Sequence, residues 1–161
     1  MTKKIKLYFN ILIILLTFSL DQTSKFYVIN YLNQNGLEIY LTSFLNIQLI
    51  WNNGIAFGLL SFENNFYYHF ITFLILLVII ILLFFIKDLD LNSYFYSMII
   101  GGALGNLIDR FRYHSVPDFI DFHISNFHWF VFNIADIFIS LGVFCLIIAE
   151  IFYKKIPNEK N

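Results

Sequence analysis

Charge is what this sequence has least of. Of its 161 residues, 13% are Asp, Glu, Lys or Arg and 59% are apolar, whereas a soluble domain carries about 25% charged and 45–50% apolar residues. The composition excludes an ordinary water-soluble domain and implies one integral membrane domain, 1–161. Cysteine is confined to Cys145 within an apolar run, which leaves no disulfide framework and no thiolate metal site; it reads as a small buried hydrophobe. The four histidines, His69, His114, His123 and His128, form neither HExxH nor a close pair along the chain. That argues against a zinc hydrolase, and His114, His123 and His128 read as loop or interface residues. A net charge of −1 supplies no basic field, so no nucleic-acid partner is expected.

What is present is a series of long apolar runs. A basic start, MTKKIK, leads into Leu7 and a run that continues past Leu20 without a small-x-small cleavage site, so it reads as a first transmembrane helix over about 7–29 and not as a cleaved signal. Phe66 to Ile86 is a run of 21 residues free of Asp, Glu, Lys and Arg, about the length a helix needs to cross the hydrocarbon core. Further spans are expected over about 94–109 and 129–153. The third carries Gly101, Gly102, Ala103 and Gly105, small residues that let helices approach closely. The expected fold is therefore an all-α membrane protein of four transmembrane helices. A small extracytoplasmic β segment is added over about 36–62, where LEIYLTSFLNIQLIW suggests two strands and Asn52 to Gly54 a turn. Pro117 disfavours helix at Val116, and 109–128 reads as a second outer segment.

Lysines cluster at the amino terminus, at Lys87 and at the carboxyl end, while residues 26–65 contain no Lys or Arg. The positive-inside rule then places both termini in the cytoplasm and the first and third connections outside. Arg110 and Arg112 oppose that bias, which suggests that an arginine is retained there to hold a carboxylate or phosphate. At 1.5 Å per residue, Asp21 lies about 21 Å above Leu7, roughly 9 Å below the outer edge of a 30 Å core. A fourth helix descending from Trp129 puts Asp136 about 10 Å below the same edge. The third helix delivers Asn106, Asp109 and Arg110 near that level, so the polar groups converge in one leaflet.

Ionisable groups within a span are costly and point to function. Two carboxylates sharing a site cannot both ionise cheaply; one keeps its proton while the other accepts one from water. Such a pair can hydrolyse a peptide bond without metal, cofactor or nucleophilic side chain. Asp136 is the preferred member, with Asn133 one turn before it as a hydrogen-bond donor. Asp118 and Asp121 both follow the loop proline, and spacing does not separate them as its partner. Asp109 could pair with Arg110, leaving Asp21 with Lys25. Competing readings are a salt-bridge network that only fixes packing, a proton-coupled carrier, and a non-enzymatic assembly factor packed through GGALG.

Five blocks, DQTSK at Asp21 to Lys25, NNGIAFG at Asn52 to Gly58, GGALGNLIDR at Gly101 to Arg110, VPDFIDF at Val116 to Phe122 and FNIAD at Phe132 to Asp136, together resemble the signatures of bacterial lipoprotein signal peptidase, the type II signal peptidase. They occur in the family's order over nearly the whole chain. The resemblance implies an aspartic endopeptidase of the bacterial cytoplasmic membrane that cleaves prolipoproteins before a diacylglyceryl-modified cysteine. It implies Asp118 and Asp136 as the catalytic pair. Asp21, Lys25, Asn52, Gly54, Asn106, Asp109, Arg110 and Asn133 become site-supporting or substrate-binding residues. Lipidated precursors and membrane lipids are the implied partners, and the chain is expected to be a monomer. Pro117 stands where the family usually has an aliphatic residue, which bears on loop conformation and removes no functional group. The segment from Asn46 to Phe62 is expected to cover the site.

Overall fold

A computed structural model describes residues 2–36, 38–54, 65–125 and 127–153. In chain order these form α1 (Lys3–Asn35), β1 (Glu38–Thr42), β2 (Leu45–Asn52), α2 (Asn65–Phe85), a 3₁₀ turn (Ile86–Asp88), α3 (Asn92–Tyr113), β3 (Val116–Ile124), β4 (Phe127–Phe132) and α4 (Ile134–Tyr153). The strands form one antiparallel sheet in the order β1-β2-β3-β4. The carboxyl ends of α1 and α3 lead into strands and α4 starts from one, and β2 and β3 touch α1 while β3 touches α3, so the sheet sits against one end of these helices.

Helix α1 is inverted relative to a helix of a soluble protein. Its buried residues are Asn10, Thr17, Asp21, Lys25 and Leu32, spaced by seven, four, four and seven positions, which a 3.6-residue turn stacks into one stripe. Leu12, Leu15, Leu16 and Leu20 are exposed. A buried polar stripe under an apolar exterior is stable where the surroundings are lipid. Phe73 and Phe84 on α2 and Phe144 and Phe152 on α4 are likewise exposed. Among the described residues, three helices are long and apolar enough to cross a membrane: Lys3–Asn35, Tyr68–Asp88 and Ile134–Phe152.

Helix α3 packs against α1, α2 and α4. Enclosure by protein explains why it tolerates buried Ser93, Ser97, Asn106, Asp109 and Arg110, which lipid-facing positions would not. Its apolar residues Ile100, Ala103 and Leu107 join Ile79 and Ile86 as the core, with Ile14 and Ile139 packed alongside. The glycines of GGALG sit at crossings. A Cβ on Gly102 would meet the Ala135 carbonyl oxygen of α4 at 2.6 Å, and one on Gly105 would collide with Asp21 Oδ2 of α1. At the far end of α3, Asn10 Nδ2 donates to Ser93 Oγ at 3.0 Å and Ser97 Oγ donates to Asn10 Oδ1 at 3.1 Å.

Several expected boundaries change. The first span is longer than 7–29, and the helix expected over 94–109 runs from Asn92 to Tyr113. The segment 109–128 contains β3, and the helix expected from Trp129 begins at Ile134, because Phe127–Phe132 pairs with β3 as a strand. A run of aromatic and β-branched residues favours a strand once a partner is available. The sheet thus has four strands where two were expected. Pro117 fits because β4 pairs only from Ile120 onward, leaving the other edge of β3 free at the proline, where a missing donor is tolerated. The part of the expected outer segment and cover that falls on 55–62 lies outside the described residues.

Candidate active site

Where β4 turns into α4, Asn133 and Asp136 form a reciprocal cap. Asn133 Oδ1 accepts from Asp136 N at 3.1 Å, and Asp136 Oδ2 accepts from Asn133 N at 3.2 Å. This is the capping-box arrangement, with Asn at the cap and Asp three residues on, satisfying two donors that the helix start would otherwise leave unpaired. The Ala135 N–H is taken by Asp21 Oδ1 at 2.9 Å. Asn133 therefore precedes the helix and does not lie one turn inside it. Asp136 lies in the first turn, which corrects the expected depth of about 10 Å below the helix start.

The other Asn133 group reaches the sheet. Its Nδ2 donates to Asp118 Oδ1 at 2.6 Å, and Asn52 Nδ2 from β2 donates to Asp118 Oδ2 at 2.8 Å. Asn106 Nδ2 from α3 donates to Asp136 Oδ1 at 2.9 Å. All four oxygens of the two carboxylates thus accept from an amide, and one residue, Asn133, touches both. Asp118 and Asp136 are 2% and 3% exposed, too little for bulk water to stabilise two negative charges. The Asp118 carboxyl is pushed up from 3.8 to about 7, chiefly by burial and then by the Asp136 charge; hydrogen bonds from Asn52 and Asn133 and the Lys25 charge work in the opposite direction.

Beside this pair lies a second set. Lys25 Nζ donates to Asp21 Oδ2 at 2.8 Å, Asp109 Oδ2 at 2.6 Å and Asn106 Oδ1 at 2.8 Å. These use all three of its N–H bonds. Asn106 consequently links the lysine to Asp136, and Gln22 Nε2 adds bonds to Asp21 Oδ2 and Asp109 Oδ1 at 3.2 and 3.1 Å. Asp109 pairs with Lys25 and not with Arg110. The Arg110 guanidinium donates to the Gly54 carbonyl at 2.9 Å and to the Asn106 carbonyl at 3.3 Å, so its observed partners are backbone oxygens, where a carboxylate or phosphate was expected. Gly54 N donates to Asn52 Oδ1 at 2.8 Å, an Asx turn that fixes the end of β2.

Asp121 stands apart. Three residues from Asp118 on a strand, it projects to the opposite face, where His128 Nδ1 lies 2.8 and 3.0 Å from its two oxygens. Sequence reading gave His123 and His128 no joint role. Cross-strand pairing stacks their rings with centroids 5.2 Å apart. Gln22 was also missed; its position one residue after Asp21 was the available signal.

An apolar groove of about 340 Å³ opens between α2, α3 and α4. Leu74, Val78, Ile99 and Ile139 line its length, and Asn106, Arg110 and Asp136 its polar end. A buried acid pair with one member, Asp136, at the polar end of an apolar groove in a lipid-facing bundle has the build of a membrane enzyme. Residues 13–152 match the family described as Signal peptidase (SPase) II. The chain is 51% identical to the lipoprotein signal peptidase of Pelagibacter ubique (strain HTCC1062), covering 96% of this chain and 95% of that one. It is 41% identical to the lipoprotein signal peptidase of Coxiella burnetii (strain RSA 331 / Henzerling II), over 91% and 93% of the two. A solved bacterial membrane enzyme superposes with a TM-score of 0.76 at 31% identity, over 94% and 93% of the chains. The chain belongs to the signal peptidase II family, the lipoprotein signal peptidases.

Proposed function

We propose that this single-domain chain is an aspartic endopeptidase of the bacterial cytoplasmic membrane that cuts prolipoproteins immediately before the diacylglyceryl-modified cysteine, with Asp118 and Asp136 as its catalytic pair. The observation that carries this reading is Asn133, which donates to Asp118 and exchanges hydrogen bonds with Asp136 at the head of the groove. Burial and mutual repulsion keep one proton on the pair near neutral pH. The ionised carboxylate takes a proton from water as its oxygen attacks the scissile carbonyl carbon. When the tetrahedral intermediate collapses and the C–N bond breaks, the protonated carboxyl gives its proton to the departing amine. Water and two side chains complete the cycle.

The remaining residues hold this geometry. Asn52, Asn106 and Asn133 orient the carboxylates, while Asp21, Lys25 and Asp109 fasten α1 to α3 and to the start of α4. Arg110 ties the Gly54 turn to α3 at the polar end of the groove. The groove takes the signal helix and acyl chains, and confinement to the membrane raises the effective concentration of such a substrate. Enclosed by its neighbours, α3 serves as a fourth span. Lysine placement puts both termini in the cytoplasm and the acid pair towards the outer face. The proposed enzyme works as a monomer.

The test is turnover of a diacylglyceryl-modified precursor by purified protein. Asp118→Asn and Asp136→Asn are each expected to abolish cleavage while the protein inserts and melts normally. Turnover retained by either folded variant removes that residue from the chemistry, and equal cleavage of lipidated and unlipidated precursor removes the lipid from recognition.

A further inference from the structure

The opposite face of the sheet carries a cluster that peptide hydrolysis does not use. Asp121, His123 and His128 each offer one ligand atom, and these atoms all lie within 4.8 Å of one another. Asp121 is fully buried, yet its oxygens face His128 Nδ1 at 2.8 and 3.0 Å and His123 Nδ1 at 3.6 Å. His123 is 8% exposed, and its Nδ1 is a buried nitrogen with no hydrogen-bond partner among the described residues. An unpaired buried polar atom usually marks an unfilled requirement. Here it faces a carboxylate just beyond hydrogen-bond reach, beside a second imidazole nitrogen.

We propose that Asp121, His123 and His128 form a binding site for one divalent transition-metal ion of the zinc class, built across β3 and β4. Two imidazole nitrogens and one carboxylate oxygen are the borderline donor set that Zn2+ favours over Mg2+ or Ca2+. Bonds of about 2.0–2.1 Å in a tetrahedron separate ligand atoms by roughly 3.3 Å. The nitrogen–oxygen separations of 2.8 and 3.6 Å straddle that spacing and no two ligand atoms are more than 4.8 Å apart, so side-chain rotations close the site. On binding, His128 coordinates through neutral Nδ1 and any proton there is released to solvent. The half-exposed His128 side chain supplies the entry path and leaves the fourth position to water. The ion joins two adjacent strands: β3 also carries Asp118, and β4 runs directly into Asn133. Its role is to clamp the sheet that presents the acid pair, without touching the reacting atoms.

The test uses tag-free full-length protein in detergent, stripped with chelator and titrated with Zn2+ by calorimetry and with Co2+ by visible absorption. Wild-type protein is expected to take up one ion per chain, to show the intense d–d band of a tetrahedral Co2+ centre, and to melt at a higher temperature with Zn2+. His128→Ala removes an exposed ligand without opening the core. It is expected to weaken Zn2+ binding by at least about 100-fold, the upper range for loss of a mere supporting partner, and to lose both the Co2+ band and the thermal shift. His114→Ala, outside the cluster, should titrate like wild type. Absence of stoichiometric uptake by wild type, or equal uptake by His128→Ala, overturns the assignment. Neither readout depends on peptidase activity.

Discussion

Two pairs of buried aspartates lie side by side in this bundle, and they are held by different chemistry. Asp21 and Asp109 share an ammonium, with Lys25 Nζ 2.8 and 2.6 Å from their oxygens. Asp118 and Asp136 share an amide, Asn133, and the other direct side-chain donors they receive are also amides, from Asn52 and Asn106. A cation between two carboxylates offsets their repulsion, and the trio fastens α1 to α3. An amide donates hydrogen bonds but contributes no net charge, so repulsion persists and a proton is retained. On the proposed mechanism the same residue type is thus a fastener in one place and a proton-transfer group in the other, depending on what stands between the members of each pair.

The largest contrast is expected in turnover. Asp118→Asn or Asp136→Asn should lower kcat by at least about 10⁴-fold, in line with removing a member of a catalytic unit, while thermal melting in detergent stays close to wild type. Lys25→Met should reverse that pattern in stability. It strands two buried carboxylates and should cost about 3–5 kcal/mol, read as a fall in Tm. Adding Asp21→Asn and Asp109→Asn should recover part of that loss, and failure to do so would mean that the lysine contributes through packing alone. Asn133→Ala removes the helix cap as well as the shared amide. The cap accounts for about 0.5–2 kcal/mol, with reduced turnover as a separate effect.

The smallest expected effect is on pH dependence. Asp118 rises from 3.8 to about 7 on folding, so between those values the native protein holds a proton that the unfolded chain has released. Stability is therefore greatest below pH 4 as far as this group is concerned and declines as pH rises towards 7. Asp118→Asn should flatten that part of a Tm-against-pH curve. In wild-type protein, turnover should fall on the alkaline side of about pH 7 as the shared proton is lost. An alkaline limb absent from that region would argue that the proton is held elsewhere.

Much of this was legible because the bilayer restricts where charge can go. Depth along the helices placed Asp21, Asn106 and Asp109 near one level, where the structure links them through Lys25; Asp136 joins them through Asn106 although its depth was overestimated. What was not legible came from strand pairing. Spacing alone leaves Asp118 and Asp121 equivalent while VPDFIDF is known only as part of an outer segment. As a strand, its period of two sends residues three apart to opposite faces. The non-local pairing of β2 with β3, separated in sequence by α2 and α3, left no local signal strong enough to identify it. The same blindness hid the meeting of His123 with His128 and displaced the start of the last helix from Trp129 to Ile134.

The bond from the Ala135 N–H to Asp21 Oδ1 spans 114 positions of chain. A chain threading into the bilayer from its amino end carries Asp21 and Lys25 long before the residue that completes their setting has been synthesised. Asp118 likewise waits for Asn133. On the proposed assignment, cutting power arises only when the final helix docks, so a partly inserted chain carries an unfinished blade.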